Sequence, residues 1–428
     1  MTLRQGETLR TRSRGGRAIG RWLFSATVLS SMLTGCAALG GSTGGADGSP
    51  TVLGSRVEPA GSGGNDSFDS SEFLALPSDG KVITYSDLAS PNDVDVFDLG
   101  PVVAGDRLTV WVTAEDELDP AAALFDADGH SMIVNDDRSY FGGNWNSYIN
   151  AVVRHDTDHC YVAVAGSVKS STAGGYSLEL DRSEGSGSTT APSSQVIYLN
   201  FDGAENVAIG PRDPVNVPAF EQSTIAQSWP NQIDELIELV VSRIRTDFEG
   251  LDVLILSSHE QSAPTSIYSV IHFGAHDPAL LGVAENVDEF NERKAQPAIV
   301  FVDTFSAFIS LDPTIEEMAQ ALANVGSHEV GHLLGLNHTA DPRGIMDISA
   351  SLQELLGNQA FSTSPLDFAV FPIGAQDAIK LLVEAVGGDD AVARSAGKMQ
   401  KAQRSLWYDQ ASGPPARSQF SFSSSCGP

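Results

Sequence analysis

Residues 327–338 read SHEVGHLLGLNH and follow a segment, beginning near Thr314, whose apolar residues recur at helical spacing. His328 and His332 are four residues apart, so on a helix both imidazoles project from one face and can bind one metal ion. Glu329 then lies beside that face. Its carboxylate is placed to take a proton from a metal-activated water. This spacing predicts a catalytic metal site on the helix.

Gly335 and His338 extend the pattern beyond the helix. Gly335 can adopt a positive φ, which lets the backbone leave the helix and return His338 as a third ligand. Three neutral imidazoles leave the fourth tetrahedral position of Zn²⁺ open, as a catalytic zinc requires. Isolated histidines on an apolar helix are usually core residues. With 9 His and 41 Gly in 428 residues, however, the five fixed positions match by chance only on the order of 10⁻⁵ times. The sequence therefore predicts a zinc site with Glu329 as its general base.

Every fixed position of this stretch matches the long metzincin signature HExxHxxGxxH, so the chain resembles the metzincin zinc peptidases. Residues 343–347 read RGIMD and resemble the metzincin Met-turn, which implies that Met346 forms an apolar floor beneath the metal. The spacing, together with residues 374–382 interpreted as a helix, is most similar to the matrixin branch. In that branch residues 360–373 would be the specificity loop. The resemblance covers about residues 195–387 and implies a zinc-dependent endopeptidase that hydrolyses peptide bonds.

Two features of related enzymes have no counterpart in this sequence. No cysteine-switch motif surrounds Cys160, so the resemblance does not imply latency by a thiolate on zinc. No tyrosine closely follows Met346, so the tyrosine ligand of astacin-like and serralysin-like relatives is not implied either. Stabilisation of the oxyanion would then fall mainly to the metal.

The residues before the histidine stretch predict strands mixed with a long helix. Apolar residues recur at helical spacing over 231–248. Strands mixed with helices are typical of an α+β, α/β/α-like architecture rather than of a second sandwich. The predicted catalytic domain covers residues 195–388, and a tail follows at 389–428. Its predicted strands are 196–203 with the turn that follows, 253–256, 267–273 and 298–303.

Residues 66–182 contain eight short runs rich in β-branched and aromatic residues, separated by Gly, Asp and Asn. From Arg107 to Thr113 apolar and polar residues alternate, which is typical of a strand with one buried face. No segment of helical period lies between the runs, so they predict an antiparallel β-sandwich. The runs are 81–85, 94–99, 107–113, 122–125, 131–135, 148–154, 160–165 and 176–180.

This region resembles the bacterial pre-peptidase C-terminal domain, a small β-sandwich that accompanies secreted peptidases. The motifs that carry the resemblance are NDSF at 65–68, DVDVF at 93–97, GDRL at 105–108, LFDADG at 124–129 and NDD at 135–137. The module would precede the enzyme here, so the implied role is that of a spacer or a substrate-docking module. Asp126, Asp128, Asp136 and Asp137 are candidate Ca²⁺ ligands, although Asp-Gly clusters more often form turns and Gly129 comes too early for an EF-hand loop.

The first 35 residues have the composition of a secretion signal. Six arginines precede a short apolar run at 22–33, and the sequence Leu33-Thr34-Gly35-Cys36 resembles the lipobox of bacterial lipoproteins. The resemblance implies cleavage before Cys36 and a lipid anchor on that cysteine. Ala37 is not the acidic residue of the inner-membrane retention signal. This favours the outer membrane or the cell surface, with release to the extracellular space as an alternative. Residues 36–65 are rich in Gly and Ser and predict a flexible tether.

Composition limits the partners and the covalent framework. The net charge of −30 disfavours binding to nucleic acid or to anionic lipid headgroups. Three cysteines exclude a disulfide-dense scaffold, although export would place Cys160 and Cys426 in an oxidising compartment where they can pair. A second polar, Gly/Ser-rich linker at 183–194 separates the two predicted domains.

Together these features predict a multidomain, exported, lipid-anchored zinc endopeptidase whose partners are protein or peptide substrates outside the cytoplasm. Two alternatives stay open. One is a non-catalytic surface binding lipoprotein with a structural zinc; the intact glutamate and the open fourth position speak against it, because a binding protein needs neither. The other is a zinc hydrolase of a non-peptide bond, which would share the same metal and water chemistry.

Overall fold

A computed structural model describes residues 51–55, 64–77, 80–115, 117–137, 144–389 and 392. The signal segment, most of the tether and almost all of the tail lie outside these residues, and so do Cys36 and Cys426. In the part of the chain that is described, no helix is both long and apolar enough to cross a membrane.

Strands from the N-terminal part form two five-stranded sheets, and we call residues 51–183 the two-sheet unit. Its strands are β1 (Thr51–Ser55), β2 (Glu72–Phe73), β3 (Lys81–Leu88), β4 (Val94–Asp98), β5 (Arg107–Ala114), β6 (Pro120–Phe125), β7 (Ser131–Asn135), β8 (Ser147–Val152), β9 (Tyr161–Gly166) and β10 (Gly174–Ser183). One sheet has the order β1-β3-β10-β5-β8 and the other β2-β4-β9-β6-β7. Neighbours pair antiparallel except at two edges, where β1 joins β3 and β2 joins β4 in parallel. All eight runs picked out from the sequence overlap a strand, which confirms those strand predictions.

The two sheets share one hydrophobic cluster. The alternation read in β5 places Leu108, Val110 and Val112 in it with no exposed surface, because successive side chains of a strand point to opposite faces. Val162 of β9, in the other sheet, belongs to the same cluster. Cys160 is also fully buried there, and burial raises the pKa of its thiol to about 12.

Residues 195–389 form the second unit, in which helices accompany a third five-stranded sheet. Its strands are β11 (Gln195–Asn200), β12 (Ala204–Val207), β13 (Val215–Val217), β14 (Val253–Ser257), β15 (Ser269–Gly274), β16 (Gly282–Ala284), β17 (Pro297–Phe301), β18 (Thr363–Pro365) and β19 (Ala375–Asp377), and its helices are α1 (Thr224–Ser228), α2 (Ile233–Asp247), α3 (Ile315–Leu333), α4 (Leu352–Leu355) and α5 (Ala378–Val386). The sheet has the order β14-β11-β15-β17-β16. Its pairs are parallel except for the edge strand β16, which runs antiparallel to β17. Two hairpins, β12-β13 and β18-β19, lie outside it.

The helix that carries the histidine stretch begins at a defined cap. The hydroxyl of Thr314 accepts the backbone N–H of Glu317, and the Glu317 carboxylate accepts the N–H of Thr314, which satisfies two donors that the first turn leaves open. The N-terminal half of α3 packs against α2 and the sheet through residues such as Met318 and Leu322, which have no exposed surface. This packing holds the C-terminal half of α3 beside β16.

The interpretation of residues 374–382 as one helix is wrong at its start. Gly374 has a φ of +87°, and residues 375–377 form β19 paired with β18. Helix α5 begins only at Ala378, because the Asp377 carboxylate accepts the N–H of Lys380 and caps the helix there.

The two units pack as one compact body. Phe125 of β6 and Phe371 of the second unit lie with their ring centroids 5.7 Å apart, and Leu366 joins the same hydrophobic cluster. Residues 184–194, which connect the two units, form hydrogen bonds with both of them. The N–H of Gly187 donates to the carbonyl of Gly105, and the N–H of Ser193 donates to the carbonyl of Ala385. The second unit therefore shares buried surface with the two-sheet unit.

Candidate metal centre

The end of α3 and the loop after it bring three histidines together. The Nε2 atom of His332 lies 3.0 Å from Nε2 of His328 and 3.0 Å from Nε2 of His338. All three rings are buried. Burial lowers the pKa of His328 to about 3 and that of His332 to about 4, and it also lowers the pKa of His338, so the rings are neutral at pH 7.

The hydrogen bonds of the Nδ1 atoms show that the Nε2 atoms of His328 and His332 are the acceptors that face one another. His328 Nδ1 lies 2.7 Å from the carbonyl oxygen of Ile345, and His332 Nδ1 lies 2.7 Å from that of Leu336. A carbonyl only accepts, so each Nδ1 carries the hydrogen and each Nε2 presents a lone pair. Lone pairs 3.0 Å apart repel one another unless a cation lies between them. Imidazoles around a tetrahedral zinc have nitrogens about 3.3 Å apart for Zn–N of 2.0–2.1 Å, so this triad fits a zinc ion.

The path of the chain from His332 to His338 depends on Gly335. Gly335 has a φ of +98°, and its N–H donates to the carbonyl of His332. A Cβ at this position would lie 3.0 Å from the carbonyl oxygen of Asp288 and 3.0 Å from the backbone nitrogen of Phe290. Glycine is therefore required twice, for the conformation and for the close approach of a second backbone.

Gln376 is a site residue that the sequence did not reveal. Its Oε1 accepts the N–H of Asn337 at 2.7 Å, and its Nε2 donates to the carbonyl of Asn337 at 2.9 Å. This fully buried amide thus fixes the residue directly before His338. Two neighbouring residues could have predicted its position. Gly374 followed by the capping Asp377 indicates that the helix begins after Gln376.

Met346 packs against the helix that carries the first two histidines, with its Sδ atom 2.5 Å from where a Cβ of Gly331 would lie. It is buried, and the N–H of Thr339 donates to its carbonyl at 2.8 Å. The preceding residue, Ile345, supplies the carbonyl that receives His328 Nδ1. The turn thus holds one histidine by its backbone and fills the space under the helix with its side chain.

Glu329 lies at an open pocket that begins beside His328. Its carboxylate occupies space next to Gly282 of β16, where the Cβ of any larger residue would collide with it. Most of the lining surface is apolar, and it comes from residues 280–282 at the start of β16, from α3 and from residues 345–359. The lining residues are Leu280, Leu281, Gly282, Asn324, Val325, His328, Glu329, Ile345, Asp347, Ile348, Ala350, Leu355 and Gln359.

Residues 360–373, which the resemblance assigns to the specificity loop, are not among the residues that line this pocket. The wall opposite β16 comes from residues 345–359 instead. The later segment turns toward the two-sheet unit, where Leu366 and Phe371 are buried, while the N–H of Asp367 donates to the carbonyl of His338. The two-sheet unit supplies the apolar surface that attracts these side chains, and the local sequence gave no sign of it.

The four acids named as candidate Ca²⁺ ligands are not gathered into one site. In the described part of the chain Asp126 and Asp128 lie near each other with His130, whereas Asp136 forms an ion pair with Lys169. Oδ1 of Asp126 accepts the backbone N–H groups of Asp128 and His130. Its Oδ2 accepts the ammonium of Lys380 at 2.7 Å, so a lysine charge occupies the place of a cation. Burial, together with Asp136 and Asp119, raises the pKa of Asp137 to about 6.

Part of the chain is similar to known proteins. The matrixin family model matches residues 192–365. No curated protein matches the chain. Among solved structures, archaemetzincin from Methanopyrus kandleri is 16% identical, with 39% of this chain and 87% of that chain covered and a TM-score of 0.24. A zinc-dependent peptidase from Methanocorpusculum labreanum is 13% identical (38% and 93% covered, TM-score 0.23).

The N-terminal part is similar to a different solved structure. The pre-peptidase C-terminal domain of a collagenase from Bacillus anthracis is 14% identical, with 26% of this chain and 94% of that chain covered and a TM-score of 0.20. At such TM-scores the three likenesses carry no argument about this chain. The match of residues 192–365 to the matrixin family model does support a zinc-dependent metallopeptidase.

Proposed function

We propose that this protein is a zinc-dependent endopeptidase that hydrolyses peptide bonds of proteins outside the cytoplasm. The observation that carries the proposal is the convergence of three buried Nε2 atoms at 3.0 Å spacing while the Nδ1 atoms of His328 and His332 are committed to backbone carbonyls. Three lone pairs that converge in this way repel one another unless a cation lies between them. Three nitrogen ligands also leave a fourth position for the reacting groups.

His328, His332 and His338 would hold the metal, and Glu329 would handle protons. Zinc supplies a Lewis acid that polarises a carbonyl and acidifies water. The Glu329 carboxylate, next along α3 from His328 and at the mouth of the pocket, takes up the proton of the attacking water and returns it to the leaving amine. Met346 keeps the floor of the site apolar and dry, which strengthens the charge interactions above it.

A peptide substrate fits the edge of the sheet beside the metal. Strand β16 is the outermost strand, so its outer side is available to pair with an extended chain. The adjoining pocket, lined by Leu280, Leu281 and Leu355, would accept an apolar side chain of that peptide. Extended pairing explains specificity for a polypeptide, since an ester or a sugar has no row of amide groups to offer.

The proposed location rests on the sequence alone. Export through the segment 1–35 and a lipid anchor on Cys36 would hold the enzyme at the outer membrane or the cell surface. A net charge of −30 suits an enzyme that acts on proteins and not on nucleic acids.

The test is digestion of casein by the purified full-length chain, with zinc content measured alongside. Glu329→Gln removes the proton acceptor, and Glu260→Gln makes the same change in an exposed ion pair with Arg245. We expect one zinc per chain in all three proteins, cleavage by the wild type and by Glu260→Gln, and loss of at least about 10²-fold in Glu329→Gln. A chelator should stop cleavage. A folded, zinc-loaded wild type that leaves casein intact would overturn the proposal in favour of a binding protein or a hydrolase of another bond.

A further inference from the structure

We propose that the two-sheet unit positions the third histidine, His338. Two separate sets of contacts connect the two-sheet unit to residues 335–338. The inference rests on the proposed function, because it takes His338 to be a metal ligand. His328 and His332 are fixed by α3 itself, whereas His338 lies beyond the helix end and depends on the backbone around it. The two-sheet unit would then be part of the metal centre and not a spacer.

The first set of contacts runs through β19. The N–H of Ala375 donates to the carbonyl of Gly129 at 3.0 Å, and His130 and Ala375 form a parallel bridge. The next residue is Gln376, whose amide holds both backbone groups of Asn337. Two hydrogen-bonded contacts therefore connect the turn of the two-sheet unit to Asn337, the residue before His338: one bond at Ala375 and a pair of bonds at Gln376.

Gly374 allows this approach. The ring of Phe125 lies where a Cβ of residue 374 would be, and Gly374 has a φ of +87°. Strand β19 can therefore reach the two-sheet unit only because Gly374, the residue directly before the strand, has no side chain. Two independent domains joined only by a linker would not need such close contact.

The second set of contacts runs through a strained turn. Phe290 and Asn291 both have positive φ, at 62° and 54°, which costs energy for residues with a side chain. The guanidinium of Arg154, from the two-sheet unit, lies 3.8 Å from the centroid of the Phe290 ring. On its other side the same turn abuts Gly335. Arg154 thus holds in place the backbone against which the third ligand's loop is built.

A buried ion pair fastens the two units beside these contacts. The ammonium of Lys380 donates to Oδ2 of Asp126 at 2.7 Å, and it lies 2.8 Å from Nε2 of His155. Nδ1 of His155 is 2.8 Å from Oε1 of Glu384 on the same helix. The carboxylate of Asp126 is almost fully buried. Loss of one partner would leave an uncompensated charge in the interface, so the pair gives α5 a defined place.

Helix α5 begins two residues after Gln376, so its placement sets that of the amide. A small open pocket at this point is lined by Met132 and Ile133 of the two-sheet unit and by Gly335 and Asn337 of the second unit. The backbone before His338 therefore borders on the two-sheet unit directly. A shift of the interface would move it.

The experiment compares zinc affinity in full-length variants by competition with a chelating dye. Arg154→Met removes the contact with Phe290 together with hydrogen bonds to the carbonyls of Thr190 and Glu384. Lys380→Met removes the ion pair, and Gln376→Leu removes the bonds to Asn337. As a control, Arg182→Met breaks a buried ion pair with Asp106 inside the two-sheet unit. We expect zinc affinity to fall 10-fold or more in the first three, as for other residues that orient ligands, and to stay within 2-fold in the control.

The Co²⁺-substituted proteins give a readout that general loss of stability does not produce. Their visible absorption reports ligand number and geometry, and we expect it to change in Arg154→Met and Gln376→Leu but not in Arg182→Met. Arg154→Met keeps the test available if Lys380→Met does not fold. Unchanged zinc affinity and an unchanged cobalt spectrum in Arg154→Met and Gln376→Leu would overturn the inference. A wild type that binds no zinc would instead overturn the proposed function.

Discussion

Met346 lies directly against Gly331, so close that a Cβ on Gly331 would be 2.5 Å from the Sδ atom of Met346 and 3.3 Å from its Cε atom. Gly331 belongs to α3 and stands between the two histidines of that helix. The methionine thus occupies the space that a side chain on the helix would take. The turn and the helix are fitted to each other, and the carbonyl of Ile345 that receives His328 Nδ1 is placed by this fit.

Gly331→Ala should therefore damage the metal site although alanine favours helices. The added methyl group collides with Met346, and such overpacking of a core costs ~1–3 kcal/mol, more than the ~1 kcal/mol gained in helix propensity. We expect a lower free energy of unfolding in urea and weaker zinc binding, because the Ile345 carbonyl moves with the methionine. Met346→Leu, which conserves volume, is the control and should cost less. Equal stability and zinc affinity in Gly331→Ala and wild type would contradict the fit described here.

Gly335→Ala should abolish tight zinc binding. The substitution combines a positive φ with a Cβ only 3.0 Å from the backbone of residues 288–290, so the loop that carries His338 must shift. Gly185→Ala is a matched control, because Gly185 also has a positive φ, of 54°, but no atom lies within 4 Å of its Cβ position. Zinc content after dialysis separates the two: we expect loss in Gly335→Ala and one zinc per chain in Gly185→Ala. Retention in both would show that the close approach to Asp288 is dispensable.

Much of the histidine site could be predicted because its geometry is local. The four-residue spacing of His328 and His332 fixes their common face on any α-helix, and a glycine after the helix is the usual means of ending it. The alternation in β5 likewise assigned its core face correctly. Such patterns depend only on neighbours within a few residues.

The remaining parts of the site depend on contacts between distant residues. Lys380 and Asp126 are separated by 254 positions, and neither is unusual in its own segment. The resemblance assigned residues 360–373 to the specificity loop, and nothing in their sequence indicates that Leu366 and Phe371 are buried against the two-sheet unit. Gln376 was placed in a helix because apolar periodicity does not mark where a short strand ends.

Leu355→Ala should change the size of side chain that the enzyme accepts next to the cleaved bond. Leu355 lines the pocket opposite β16, and its carbonyl is held by the Asn324 side chain, so the wall remains while the side chain shrinks. We expect kcat/KM to improve for a peptide with a bulky aromatic residue relative to its leucine analogue by about 10-fold, the ratio that ~1–3 kcal/mol of pocket contact supplies. Leu352→Ala, on the same helix but outside the lining, is the control. An unchanged ratio in Leu355→Ala would mean that substrates do not enter this pocket.

Acid should loosen the junction of the two units through Asp126. Burial opposes its ionisation, but the hydrogen bond with His155 and the charges of Lys380 and His130 outweigh burial and lower its pKa. The stability that this carboxylate provides is thus fully present above the unfolded pKa of about 3.9 and is lost as the pH falls toward the lower folded pKa. In the zinc-free protein, we expect the free energy of unfolding to be higher for wild type than for Asp126→Asn, and this difference should be largest at pH 6–7.

That difference should shrink below about pH 4 by up to about 1.4 kcal/mol per pH unit, the limit for one proton. Denaturant titrations from pH 7 to pH 3 measure it directly. Lys380→Met should weaken the same pH dependence, because it removes the charge that holds Asp126 ionised. A constant difference between wild type and Asp126→Asn over this range would mean that the Asp126 carboxylate keeps the same pKa in the folded and unfolded chains, and that the junction is held by its apolar contacts alone.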